Sequence, residues 1–241
     1  MKLHIYETVE ELLSAYAKYF TSLAKYYIKE RGQFNVVLSG GSSPKRVYEL
    51  LASPAFRMEV EWEYVYFFFG DERHVPAGDD RNNALMVDKA LFQPLHIADD
   101  HIFKMDTSLP PPECARQYMD SISGHFNNME IHFDLILLGL GDDAHTASLF
   151  PFTPVLNEKT PTVKEVYLKK DHTFRITLTA PLINQARHIA FLVFGKNKAN
   201  AIKEIRNDVK NPTEFPAQLI DPENGELHCF LDKVATGNLL A

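Results

Sequence analysis

The chain has 241 residues, 45% of them hydrophobic, and a formal net charge of −7. That length holds one large domain or two small ones with an ample core, and the acidic balance argues against a general nucleic-acid binder, which carries a basic face. Its two cysteines form no C-x-x-C pair, the amino terminus has no signal-like apolar core, and no apolar run approaches the ~20 residues of a membrane span, so a cytoplasmic protein with reduced thiols and no membrane contact is expected.

Residues 3–6 read as a short strand. Thr8 with Glu11 forms a capping box that opens a long amphipathic helix. Its Leu12, Leu13, Tyr16, Tyr19, Phe20 and Leu23 recur at helical spacing, and it stops near Gly32. Residues 35–38 read as a strand that runs directly into Ser39-Gly40-Gly41-Ser42-Ser43-Pro44 and then a helix over 45–52. A second buried strand, 64–69, ends in Gly70-Asp71-Glu72-Arg73. A polar loop follows, then a helix over 83–91 with Asn82 and Asn83 as capping candidates. Pro110-Pro111-Pro112 opens a further helix that contains Cys114. Residues 135–138, bounded by glycine, look like an interior parallel strand. The stretch 152–171 reads as irregular. Strands are expected at 175–179, 189–194 and 227–231, and helices at 196–209 and 233–240. The alternation predicts a single α/β domain over 1–241: three α/β/α layers around a mostly parallel, Rossmann-like sheet, with some strands in a small accessory layer.

Three loops fall at the carboxyl ends of predicted strands, where open α/β sheets bind ligands. The glycine-rich turn at Gly40, Gly41 and Ser42 opens a helix, so its backbone N–H groups suit an anion. It is neither a Walker A loop nor G-x-G-x-x-G, so no dinucleotide is indicated. Asp71 and Arg73 project from the next strand end, as an ion pair or as substrate ligands. Arg73 there suits a carbonyl, a hydroxyl or an oxyanion. The third loop, Gly139 to Ser148, carries Asp142, Asp143 and His145, a base with an orienting carboxylate. Asp71 is the other possible orienter. Arg175 and Lys198 are later cations; Lys198, in the first turn of a helix, calls for an anionic partner. Ten histidines occur, but none stands in a metal-ligand spacing, so no metal is expected. Together these point to a phosphorylated small molecule with a carbonyl centre.

The same residues resemble the 6-phosphogluconolactonase family, of the glucosamine-6-phosphate deaminase and ribose-5-phosphate isomerase type of fold. The likeness spans essentially the whole chain. The family's S-G-G-S-T-P falls on Ser39 to Pro44, its G-D-E-R-x-V-P on Gly70 to Pro76, and its G-x-G-x-D-G-H-T-A-S-L-F-P on Gly139 to Pro151. Arg175 to Thr179, Gly195 with Lys198, and Phe230 to Ala235 match later motifs. One departure is Ala144, where the family has glycine. The resemblance implies hydrolysis of 6-phospho-D-glucono-1,5-lactone in the oxidative pentose phosphate pathway, without a cofactor. It implies His145 as general base, Asp143 as its orienter and Arg73 at the oxyanion or a sugar hydroxyl. Gly40, Gly41, Ser42, Arg175 and Lys198 would hold the phosphate, and Asp71 belongs to the same substrate site. A monomer or weak homo-oligomer is expected.

Two rivals are weighed against this. An aminosugar-phosphate deaminase/isomerase would carry an acid soon after the motif histidine and a G-D-E-Y motif. Here Thr146 to Phe150 holds no acid and the motif reads G-D-E-R. A non-catalytic sugar-phosphate sensor would add a DNA-binding module, for which the chain has no basic helix-turn-helix segment.

Overall fold

A computed structural model describes residues 1–237. Among them nine strands occur: β1 (Lys2–Tyr6), β2 (Phe34–Leu38), β3 (Val65–Phe69), β4 (Asp71–Arg73), β5 (Leu135–Leu138), β6 (Val163–Leu168), β7 (Thr173–Leu178), β8 (His188–Val193) and β9 (Glu226–Asp232). Six of these form one parallel sheet in the order β1-β9-β8-β5-β2-β3. Helices α1 (Val9–Arg31), α2 (Ser42–Leu51), α3 (Asn83–Val87), α4 (Gln93–Leu95), α5 (Pro111–His125), α6 (Ala180–Asn184) and α7 (Ala199–Ile205) fill the connections.

Helices cover both faces because both faces of the strands are apolar. In β3 the ring of Phe67 lies 5.0 Å from Phe92, while Phe68 faces the other way, 4.5 Å from Phe103 and 5.1 Å from Phe133. Every residue of β2 and β5 is buried, as expected of a central parallel strand. On one face α1 starts at the Thr8–Glu11 capping box and ends at Gly32 in the left-handed region. Its Tyr16 hydroxyl donates to the Ala190 carbonyl at 2.8 Å and its ring packs edge-on to Phe230. On the other face His125 and Phe126, at the end of α5, pack on Phe68.

The chain leaves β2 outward to β3, then returns to place β5 on the opposite side of β2. The β2/β5 boundary is therefore the point where strand order reverses, and a crevice opens there at the carboxyl ends. Two tyrosines fix the strand ends beside it. Tyr48 accepts from the Ser39 N–H (3.0 Å) and donates to its carbonyl (2.7 Å). Tyr118 does the same at Phe69, 2.6 and 3.1 Å.

The accessory layer is a second sheet, β4-β7-β6, antiparallel throughout. Its strand β6 corrects the expectation that 152–171 is irregular. The sequence V-K-E-V-Y-L buries only Val163, Val166 and Leu168, so its apolar positions do not alternate. The helix expected over 83–91 is α3, continued by a π turn, Asp88–Phe92, into α4. That expected over 196–209 is a 3-10 turn, Lys196–Lys198, and the shorter α7. Of the helix expected over 233–240, residues 233–237 form turns, and the remainder lies outside the described residues.

Candidate active site

The turn after β5 builds the titratable pair. The Gly141 N–H donates to the His145 carbonyl (2.8 Å) and the Ala144 N–H to the Gly141 carbonyl (3.0 Å), which curls the chain so that residues two apart share one side. His145 Nδ1 lies 2.5 Å from Asp143 Oδ1, and the His145 backbone N–H donates to the same oxygen at 3.2 Å. Only glycine allows this approach at 141: a Cβ there would meet His145 Nδ1 at 2.0 Å and Asp143 Oδ1 at 2.6 Å. Ala144 holds φ = 58°, so the position where the resemblance puts glycine does need the left-handed region.

The hydrogen bond from His145, more than any other influence, holds the Asp143 carboxyl down to about 2. An ionised carboxylate only accepts, so His145 Nδ1 carries the proton and donates it. In the neutral imidazole with this tautomer, Nε2 presents a lone pair. The Phe150 ring stacks on the imidazole at 4.1 Å and limits its rotation. Asp71 is not the orienter: its Oδ2 accepts from Ser148 Oγ at 2.6 Å.

His145 faces a cleft of about 280 Å³. Gly40, Gly41, Ser42, Asp71, Arg73, Arg175 and Lys198 all line it, so eight of the nine residues picked from the sequence converge. Asp143, the ninth, stands behind His145 and borders an adjoining groove of about 1030 Å³, which shares Gly141, His145, Phe150 and Lys198 with the cleft. Ser42 begins α2 and Gly41 is its N-cap, so free N–H groups of the helix start lie at the cleft. The sequence also offers the Ser39 hydroxyl as a donor to an anion, but it donates instead to the buried Leu137 carbonyl at 2.6 Å.

The cations come from separate elements. Arg73 and Arg175 are register partners across β4 and β7. Burial first, and then the Arg73 charge, lowers the Arg175 guanidinium below its ordinary value. Two guanidinium groups at one wall favour an anion between them. Arg175 Nη2 meets Asp171 at 2.9 Å and Arg73 Nη1 donates to the Arg81 carbonyl at 2.7 Å. Lys198 is the N-cap of α7, and its anionic partner in the folded chain is Asp142, 2.6 Å away.

Three further side chains support the site; Asn83 was read from the sequence as a capping candidate first and a ligand second, and Phe150 and Glu72 were not singled out. Phe150 braces the imidazole. Asn83 packs its carboxamide on Gly40, where a Cβ would meet Asn83 Oδ1 at 1.8 Å. Glu72 is 1% exposed, and its carboxylate accepts from the N–H groups of Arg73 (2.7 Å), Asn83 (2.7 Å) and Ala84 (2.9 Å). It pins the start of α3 to β4 and so sets the backbone that carries Arg73. Strand alternation, with Asp71 and Arg73 on one side and Glu72 on the other, is its only trace in the sequence.

The chain is similar to known proteins over most of its length. Residues 7–229 match the family model described as glucosamine-6-phosphate isomerases/6-phosphogluconolactonase. A 6-phosphogluconolactonase of Synechocystis is 42% identical over 218 residues, covering 88% of this chain and 87% of that protein. One from Haemophilus influenzae is 34% identical, covering 83% of this chain and 85% of that protein. The solved structure of a 6-phosphogluconolactonase from Trypanosoma cruzi superposes with a TM-score of 0.88 at 28% identity, covering 100% of this chain and 97% of that one.

Proposed function

The chain belongs to the glucosamine-6-phosphate isomerase/6-phosphogluconolactonase family, and we infer that it hydrolyses 6-phospho-D-glucono-1,5-lactone to 6-phospho-D-gluconate in the oxidative pentose phosphate pathway. The observation that carries the mechanism is the His145–Asp143 pair, with Nδ1 as donor, set across a cleft from the start of α2. His145 Nε2 takes a proton from water as the water oxygen bonds to the lactone carbonyl carbon. The tetrahedral oxyanion then collapses, the bond from that carbon to the ring oxygen breaks, and the ring oxygen takes the proton back from Nε2. Asp143 stays ionised and balances the imidazolium between these steps.

Arg73 stabilises the oxyanion or holds a sugar hydroxyl, and Asp71 accepts from a hydroxyl. The phosphate lies among the N–H groups of Gly40, Gly41 and Ser42, with Arg175 and Lys198 as counter-charges. No step as written uses a metal or an organic cofactor. A deaminase/isomerase is disfavoured because the stretch after His145, Thr146 to Phe150, holds no acid. The chain is taken as one domain over 1–241, acting in the cytoplasm as a monomer or weak homo-oligomer, without nucleic acid. Among the described residues no helix is long and apolar enough to cross a membrane.

The test is the loss of fresh lactone above its spontaneous rate, with wild type and His145→Ala. The expected result is fast loss by wild type and a fall of about 10²–10⁴-fold in the variant, with affinity for 6-phosphogluconate nearly unchanged. Wild-type rates equal to the blank overturn the lactonase reading. A fully active His145→Ala variant removes His145 from the mechanism.

A further inference from the structure

A second set of titratable side chains lies at the opposite end of the main sheet. β8 begins at His188, β9 at Glu226, and these two are register partners; Lys2, the first residue of β1, pairs with His228. The alternation of β9 puts Glu226, His228 and Phe230 on one face, beneath α1. The amino ends of three adjacent parallel strands thus gather His188, Glu226, His228 and His4 far along the strands from the catalytic loops.

We propose that His188 Nδ1, Glu226 Oε2 and His228 Nε2 form a binding site for a divalent transition-metal ion, zinc being the natural occupant, that clamps β8 to β9. The three ligand atoms lie within 4.8 Å of one another. His228 Nε2 is 2.9 Å and His188 Nδ1 3.8 Å from Glu226 Oε2. Tetrahedral zinc, with bonds of about 2.0–2.1 Å, separates its ligands by about 3.3 Å. The two distances bracket that value, and the two imidazole nitrogens, within 4.8 Å of each other, close toward it as the side chains turn to the ion. Two imidazoles and one carboxylate suit zinc, and leave a fourth position for water.

The surrounding contacts are those that orient metal ligands. Zinc-bound imidazoles donate through the ring nitrogen that does not bind the ion. His228 Nδ1 faces His4 Nε2 at 2.9 Å, and His188 Nε2 faces the Tyr27 hydroxyl at 2.9 Å. His4 is further fixed by stacking on Phe230, with centroids 4.4 Å apart. Lys2 holds the other oxygen, Glu226 Oε1, at 2.8 Å. One group competes: the Tyr19 hydroxyl lies 3.1 Å from His188 Nδ1 and must turn aside when the ion enters. Glu226 is about half exposed, so the ion has a path from solvent.

The test is equilibrium dialysis of the full chain against Zn²⁺, with wild type, His188→Gln, Glu226→Gln and, as a control for the catalytic pair, His145→Gln. The expected result is one tightly held equivalent in wild type and His145→Gln, and affinity lowered at least tenfold in both His188→Gln and Glu226→Gln. A matching rise in melting temperature with Zn²⁺ is expected only where the ion binds, and circular dichroism checks that each variant is folded. The proposal is overturned if wild type retains no zinc, if His188→Gln keeps the same equivalent while folded, or if only His145→Gln loses it. None of these readouts uses lactone turnover, so the proposal stands or falls apart from the catalytic reading.

Discussion

At the scale of single residues, charge and burial decide what each side chain contributes. Arg175 stands beside Arg73 across β4 and β7, and burial already disfavours its charge. A bound phosphate offsets that cost, so its loss should appear in binding. Arg175→Ala is expected to raise KM about 10- to 100-fold, the equivalent of one charged hydrogen bond, with kcat little changed; steady-state kinetics with the lactone test this, and a change confined to kcat would remove Arg175 from the phosphate. Glu72 bears on stability. Burial, against three backbone N–H bonds, raises its carboxyl from 4.5 to about 7. Between those values the unfolded chain is ionised and the folded chain keeps its proton, so stability falls as pH rises through this window and is lower by about 3 kcal/mol above it. Urea unfolding from about pH 4.5 to 8 should show this slope as the difference between wild type and Glu72→Gln, since Asp134 and buried histidines also titrate in that range. That variant should also be less stable at low pH, because its amide NH₂ replaces one accepting oxygen.

At the scale of the element, the turn after β5 shows how a departure from the family pattern is accommodated. Ala144 sits at φ = 58° and is fully buried. Relief of left-handed strain by glycine is worth about 1 kcal/mol, and loss of a buried methyl costs about 0.8 kcal/mol. The two nearly cancel. Ala144→Gly should therefore shift the melting temperature by no more than about 2 °C, and leave the bond between Asp143 and His145 in place. Calorimetry with an activity assay measures both, and a shift several times larger would mean that the turn rearranges. The loop is held by more than its own dihedrals: the Ala144 carbonyl accepts from the Ala217 N–H at 2.9 Å, and Thr146 Oγ1 donates to the Gly139 carbonyl at 2.8 Å. Elements with one dominant periodicity, α1 and the apolar strands, were legible in the sequence. Strand β6 was not, because partial burial leaves no alternation to read, and α7 ends sooner than its composition implies.

At the scale of the whole molecule, the cleft gathers the loops after β2 and β5, the starts of α2 and α3, residues of β4, β7 and β8, and the turn before α7. Because the catalytic and phosphate-holding residues proposed above all belong to one copy, specific activity is expected to stay constant on dilution from micromolar to nanomolar enzyme, and sedimentation should find active monomer. A fall in specific activity on dilution would show that a second copy completes the site. The sequence by itself determined the alternating α/β order, the three loops at strand ends and the residue types of the proposed acid–base pair and anion cradle. These are local properties, written in periodicity, turn chemistry and short spacings. The tertiary structure alone decided that Asp143, not Asp71, orients His145, since Asp71 is claimed by Ser148, distant in sequence. It also decided that Arg73 and Arg175 face each other, that Glu72 anchors α3, and that His188, Glu226 and His228 meet beneath α1. Pairing of distant segments depends on strand order and register, and no single stretch of chain carries that information.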